Sequence, residues 1–277
     1  MRKYRTGVLV ESRYPGVIIG AVPSDDGMLL VDMPLKPDDG RDWIGQLTIT
    51  GRPKYLALMD QHPDRALGMR SFDLPIVGHD ETLQAMRGWP DAFKGSARPI
   101  GAEADTLKRV TGMHKAIPSI AFEHELKLQL GDREVVFLHR PGPTAGSMWV
   151  VLPEAKIAFI GDTVTVSEPP YVGNADIEAW IESLEELRKE PFSSYILISG
   201  RDGSVDREAV NNMARFIRKI PVRLKRLKKK KKGDPSDTAE SIARGLLKEY
   251  KPPTARQDLV LLRLKTGLRN LYARNQG

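Results

Sequence analysis

Short apolar runs rich in β-branched residues, separated by turn residues, fill the first sixty positions: "TGVLVES", "GVIIGAV", "GMLLVDM" and "KYLALMD", punctuated by Pro15, "SDDG" and "KPDDG". Runs of that length bounded by turn formers predict strands. Between residues 80 and 115 the pattern turns helical and loop-like ("ETLQAMRGW", "EADTLKRVTG"). Strands then return in "PSIAF", "ELKLQL", "EVVFLHRP", "MWVVLP" and "KIAFIGD". The period changes again at Ile177, Trp180, Ile181, Leu184 and Leu187, whose spacing places them on one face of a helix. A strand "YILIS" and a helix with Val210, Met213, Phe216, Ile217 and Ile220 on one face follow. This order predicts an α/β arrangement with helices covering sheets.

Past Pro221 the run "RLKRLKKKKKGDPSD" reads as a boundary. Asp237, with Glu240 three residues on, opens a helix, and Leu261, Leu264, Leu268 and Leu271 form the apolar face of another. We therefore expect a main domain over residues 1–220 and a basic helical extension over 221–277. Charge supports the division. The chain's net charge is +7, yet residues 221–277 alone carry +11, which leaves the main body at −4. No cysteine is present, which excludes disulfides, thiolate zinc sites and a cysteine nucleophile. Only five histidines are available to any metal. The basic opening "MRKYRTGVLVESRYPG" is broken by Glu11, Arg13 and Pro15 before it reaches signal-peptide length, and no run reaches membrane-span length. A cytoplasmic location with no membrane partner is the expectation.

The candidate chemistry begins in "LALMDQHPDRALG" (56–68), where a buried strand runs into Asp60, Gln61, His62, Pro63, Asp64 and Arg65. Such a density of carboxylate and imidazole groups suits a cation. Four clusters fall at the ends of predicted strands: "DQHPDR" (60–65), "PGPTAGS" (141–147), "IGDT" (160–163) and "ISGRDG" (198–203). Together with "LLVDMP", they resemble in order and spacing the metallo-β-lactamase superfamily. The resemblance spans roughly residues 5 to 220 and implies an αββα four-layer sandwich with a helical C-terminal extension. Its site loops would lie at one sheet edge.

The resemblance also implies ligands, and here the chain departs from the pattern. The histidines of the first metal site correspond to Asp60, His62 and Pro143. The aspartate and two histidines of the second correspond to Asp64, Arg65 and Arg201, while the bridging aspartate is Asp162. Proline has no side-chain donor atom, and guanidinium stays protonated with no acceptor lone pair. Clustered carboxylates need a positive charge between them. We expect Arg65 and Arg201 to supply it, pairing with Asp64 and Asp162, which makes the site a degenerate, vestigial one in a pseudoenzyme. Without metal-activated hydroxide the superfamily's hydrolytic chemistry has no source. No cofactor is favoured, and a pocket for a small or anionic ligand is expected. Two alternatives stay open. One is a hydrolase holding a single divalent ion (zinc, iron or manganese) on Asp60, His62 and Asp162, with His139 reaching in. The other is a metal-free acid–base role for His62.

Other residues invite plainer readings. His79 precedes a helix and is expected in its capping region or at the surface; His114 and His124 lack ligand spacing. Thr144 and Ser147 are expected to cap a turn, and Asp32 to tie a strand end to the site loops. Trp43, Trp149 and Trp180 are expected in the core, with Trp89 the candidate to line a pocket. Lys228, Lys229, Lys230, Lys231 and Lys232 form either a solvated run or a contact for nucleic acid, whose condensed counterions such a cluster would release.

Overall fold

A computed structural model describes residues 1–69, 72–89, 103, 115–229 and 235–275. Two sheets dominate. The first contains β1 (Arg2–Lys3), β2 (Leu9–Glu11), β3 (Ile19–Ser24), β4 (Gly27–Val31), β5 (Pro53–Ala57), β6 (Ile76–His79) and β7 (Ile120–Phe122), in that spatial order. The second contains β8 (Glu125–Leu130), β9 (Arg133–His139), β10 (Met148–Leu152), β11 (Ile157–Gly161), β12 (Ile196–Ser199) and β13 (Gly203–Val205), also as sequential neighbours. Antiparallel pairing joins β1 to β4, whereas β4–β5, β5–β6, β6–β7 and β11–β12 are parallel. A parallel step needs a long crossover. The helices supply several: α1 (Pro37–Leu47) lies between β4 and β5, α2 (Pro63–Ala66) between β5 and β6, α3 (Asp80–Arg87) between β6 and β7, and α4 (Ile177–Glu186) between β11 and β12. The chain ends in α5 (Arg207–Lys229), α6 (Pro235–Leu247) and α7 (Gln257–Arg274).

Burial follows strand alternation. Val10, Val22, Leu29, Val31 and Ala57 of the first sheet join Phe137, Val150, Ile157 and Phe159 of the second in a layer between the sheets. Leu9, Ala21, Leu30, Leu56 and Leu58 face the other way, onto Trp43 and Leu47 of α1. On the second sheet's outer face, Trp149, Val151 and Ala158 pack with Trp180, Phe216 and Ile217, and with Leu246, Leu264 and Leu268 of α6 and α7. The result is the αββα sandwich the sequence predicts.

The differences are local. Helix α1 forms where "KPDDG" reads as a turn. Pro37 at the start and Asp38 and Asp39 in its first turn favour a helix N-terminus, and Trp43 and Leu47 bury one face. Helix α5 continues through Pro221 to Lys229. Strand β6 completes the first sheet from "IVGH", four residues too brief to show a period. The predicted helix "EADTLKRVTG" lies outside the described residues apart from Glu103, as do His114 and Lys230, Lys231 and Lys232.

Candidate functional site

The four motif clusters converge where the parallel strands of both sheets end. Strand β5 delivers Asp60 and His62 on the turn leading into α2, whose first turn carries Asp64 and Arg65. Asp162 follows β11, and Arg201 follows β12. Two backbone devices aim these groups. Asp32, at φ 55°, leaves β4 in the left-handed region, which aspartate tolerates better than most residues, and its Oδ1 accepts the Met59 amide at 3.0 Å. Gly161 turns at φ 54° immediately before Asp162.

Arg65 is fully buried. Its Nη2 donates to Asp162 Oδ1 at 2.6 Å and its Nη1 to Asp60 Oδ2 at 3.3 Å, while Nε lies 3.5 Å from Asp32 Oδ2. Arg201 completes the network from the opposite side. Its Nε and Nη2 form a fork on Asp162, at 2.9 Å to Oδ1 and 2.8 Å to Oδ2, and its Nη1 donates to Asp64 and to the Gly16 carbonyl. Between them, Asp60 Oδ1 accepts from the His62 amide and lies 2.9 Å from its Nδ1, which is 3.5 Å from Asp162 Oδ2. His62 Nε2 is buried without a hydrogen-bond partner among the described residues. The expected pairing of Arg65 and Arg201 with the site carboxylates is therefore present, with one change of detail: Arg65 bonds Asp60 and Asp162, and Asp64 goes to Arg201.

These contacts set the protonation states. Burial alone would raise the Asp162 carboxyl, but Arg201, then Arg65 and His62, override it and hold it well below the ordinary carboxylate range. Asp60 follows the same logic: burial opposes ionisation, and Arg65 and His62 outweigh it. For His62, burial disfavours the imidazolium, yet Asp60 and Asp162 push its pKa up. Asp32 is the exception. Burial dominates there, Arg65 offsets it only in part, and its carboxyl rises to about 7.

Asp60, His62 and Asp162 each present one potential ligand atom, all within 4.8 Å of one another, a spacing that could hold an ion. The remaining positions do not extend that set. Pro143 is buried in its loop and brings no donor. His139 turns away, its ring stacked on His79 with centroids 3.6 Å apart and its Nε2 2.8 Å from the Ala145 carbonyl. His79 caps α3 by accepting the Glu81 amide, and Ser147 Oγ accepts the Thr144 amide at 3.1 Å, the capping roles expected of them. Trp43, Trp149 and Trp180 are core residues. Trp89 packs half-buried beside the cluster under α1 and is not in the wall of the cavity at the site.

That cavity, about 300 Å³, is lined by Asp162 and Arg201 together with Glu103, Glu168, Arg256 and Arg263. Arg256 donates to Glu168 and, at 3.0 Å, to Glu103 Oε2. Arg256, Val260 and Arg263, from α7 and the turn before it, thus form part of the wall, a contribution with no signal in the sequence. Gly267 of α7 lies against the Val172 and Gly173 amides, and Asn270 donates to the Tyr171 hydroxyl at 2.8 Å, so α7 also fixes the loop that carries Glu168.

Residues 66–195 match the family model described as "Metallo-beta-lactamase superfamily", a match that begins immediately after Arg65. No curated protein matches. Among solved structures, the metallo-β-lactamase from Pontibacter korlensis aligns with TM-score 0.58 at 15% identity, over 76% of this chain and 99% of that one. The DIM-1 metallo-β-lactamase aligns at 0.57 and 16%, over 76% and 97%. TMB-1 aligns at 0.57 and 17%, over 78% and 99%. Nearly the whole of each neighbour falls on about three-quarters of this chain.

Proposed function

From the metallo-β-lactamase fold of this chain, we propose that it is a superfamily member whose metal centre has been replaced by an arginine–carboxylate network, and that it binds a small ligand in the adjoining cleft without zinc-dependent hydrolysis. One observation carries the reading: both oxygens of Asp60 and of Asp162 already accept hydrogen bonds, from Arg65, Arg201 and His62. A divalent ion at this point would have to displace those donors and sit beside two fixed guanidinium charges. At 4 Å, like charges repel by about 4 kcal/mol even at an effective dielectric near 20. The residues present therefore do not fit a binuclear site, since Pro143, Arg65 and Arg201 offer no ligand atom.

A second reading rests on the convergence of Asp60, His62 and Asp162 within 4.8 Å. In it Arg65 and Arg201 swing aside, and one divalent ion of zinc, iron or manganese serves a reduced hydrolytic site. Elemental analysis of protein purified without chelator separates the two. Our reading expects well under one equivalent of any transition metal, and no change in thermal stability on adding zinc or manganese. One tightly held equivalent would overturn it and favour the reduced metal site.

A further inference from the structure

Helix α5 carries nine Lys or Arg residues and a single acidic residue, Glu208. The basic residues are not spread evenly round the helix. Val210, Met213, Phe216, Ile217, Ile220 and Leu224 form the buried arc against the second sheet and the C-terminal helices. Diametrically opposite, Arg207, Asn211, Arg215, Arg218, Val222 and Lys225 recur at steps of three or four, within an arc of about 80° at 100° per residue. All of these from Arg207 to Lys225 are exposed except the half-buried Asn211. Beside the start of the stripe, Arg188 and Lys189 border a shallow depression shared with Arg207, Asn211 and Glu185, the last of these paired with Arg218.

Local needs account for little of this charge. A helix dipole favours cations only in the last turn, which covers Lys225 and Lys229 but not Arg207, Arg215 or Arg218. Arg218 pairs with Glu185 at 2.6 Å, with both side chains more than 40% exposed, a pairing of small energetic weight. Among the described residues, Arg207 and Arg215 bond only a neutral carbonyl and a neutral amide, those of Arg188 and Asn212.

We propose that this stripe of α5, from Arg207 to Lys225, is a docking surface for the phosphate backbone of a nucleic acid. Its length fits: eighteen residue steps at about 1.5 Å give about 27 Å, most of one turn of duplex. Its composition favours a duplex over a single strand or a membrane. The stripe holds no aromatic on which bases could stack. Its one apolar member is Val222, whereas a membrane-surface helix presents a broad apolar face, and the apolar face of α5 is spent in the core. None of the stripe residues lines the cleft cavity, so the inference stands apart from the reading of that site.

The test is fluorescence anisotropy of the full chain with a labelled 20-base-pair DNA duplex, the matching RNA duplex and the single strand, between 50 and 200 mM salt. Four neutralised phosphates should give about a 150-fold loss of affinity for DNA over that range. The variant R207Q/R215Q/R218Q/K225Q should bind more weakly and flatten the slope of log affinity on log salt by about 3 to 4. The control R41Q/K54Q/R87Q/K127Q removes the same charge from elsewhere on the surface and should leave the slope within one unit. Preference between the two duplexes identifies the natural source of the phosphates. No duplex binding at 50 mM salt, equal losses in the two variants, or binding confined to phosphatidylserine vesicles or to the single strand would each overturn the proposal.

Discussion

Removing the Arg65 guanidinium would strand Asp60 and Asp162 in a buried, poorly solvated pocket with only His62 and Arg201 left to compensate them. Breaking a buried pair in this way costs about 3–5 kcal/mol, so Arg65→Met should lower the urea midpoint by that equivalent. Arg65→Lys should recover only part of it, because a point charge cannot reproduce two divergent N–H contacts. By contrast, Arg41→Ala breaks a pair with Asp38 that lies in water and should shift stability by less than about 0.5 kcal/mol. The pH dependence follows from the same groups. Asp60 and Asp162 are depressed below the ordinary value of 3.8, so their contribution is full above that value and is lost as pH falls through the still lower folded values. Asp32 has the opposite sign. Raised to about 7, it stays protonated in the folded protein while ionising in the unfolded chain, so stability falls as pH rises from 3.8 to about 7. Asp32→Asn should abolish that decline and leave the acid loss in place, as read by chemical unfolding at pH 3, 5 and 8. Of these residues, Asp60, His62, Asp64, Arg65, Asp162 and Arg201 were legible in the sequence because each sits in a motif at a strand end. The depth of Asp32's burial beside Arg65 was not, since it depends on how the first sheet's strand ends pack.

At the scale of elements, α7 presents two contrasting contacts. Leu268 is fully buried among Trp180, Phe216 and their neighbours, and Leu268→Ala should cost about 2–5 kcal/mol in equilibrium unfolding. Arg256, about one-third exposed, should cost less than about 1 kcal/mol when changed to alanine. Its loss should appear instead as faster amide exchange in residues 165–173, the loop it holds through Glu168. Pattern reading found nearly every strand of the second sheet, because those runs are long, β-branched and bounded by turns. It failed at α1, where a turn-like "DDG" lies inside a helix that is stabilised by Trp43 and Leu47 beneath it. Tertiary burial overrides a weak local signal there. It also stopped α5 at Pro221, although the helix runs on to Lys229.

For the molecule as a whole, the network ties the two halves of the sandwich together. Arg65 reaches from the first sheet's side to Asp162 of the second, and Arg201 reaches back to Asp64 and Gly16. The Ile18 amide adds a bond to the Gly200 carbonyl at 2.8 Å, and the Met148 amide one to Met59 at 3.1 Å. Gly200 admits no larger residue easily, because a Cβ there would lie 3.0 Å from Arg65 Nη2 and 3.1 Å from Asp162 Oδ1. The sandwich itself could be inferred from the order of motifs. The docking of α6 and α7 onto the second sheet could not, since amphipathic spacing shows that a face is buried and not against what. The interlocked guanidiniums carry a consequence for engineering. Replacing either arginine with histidine by itself would leave an interior carboxylate short of a partner before any metal could be captured. Installing a metal centre here would need positions 65, 143 and 201 altered in concert, since each single change breaks the network before it supplies a working ligand set.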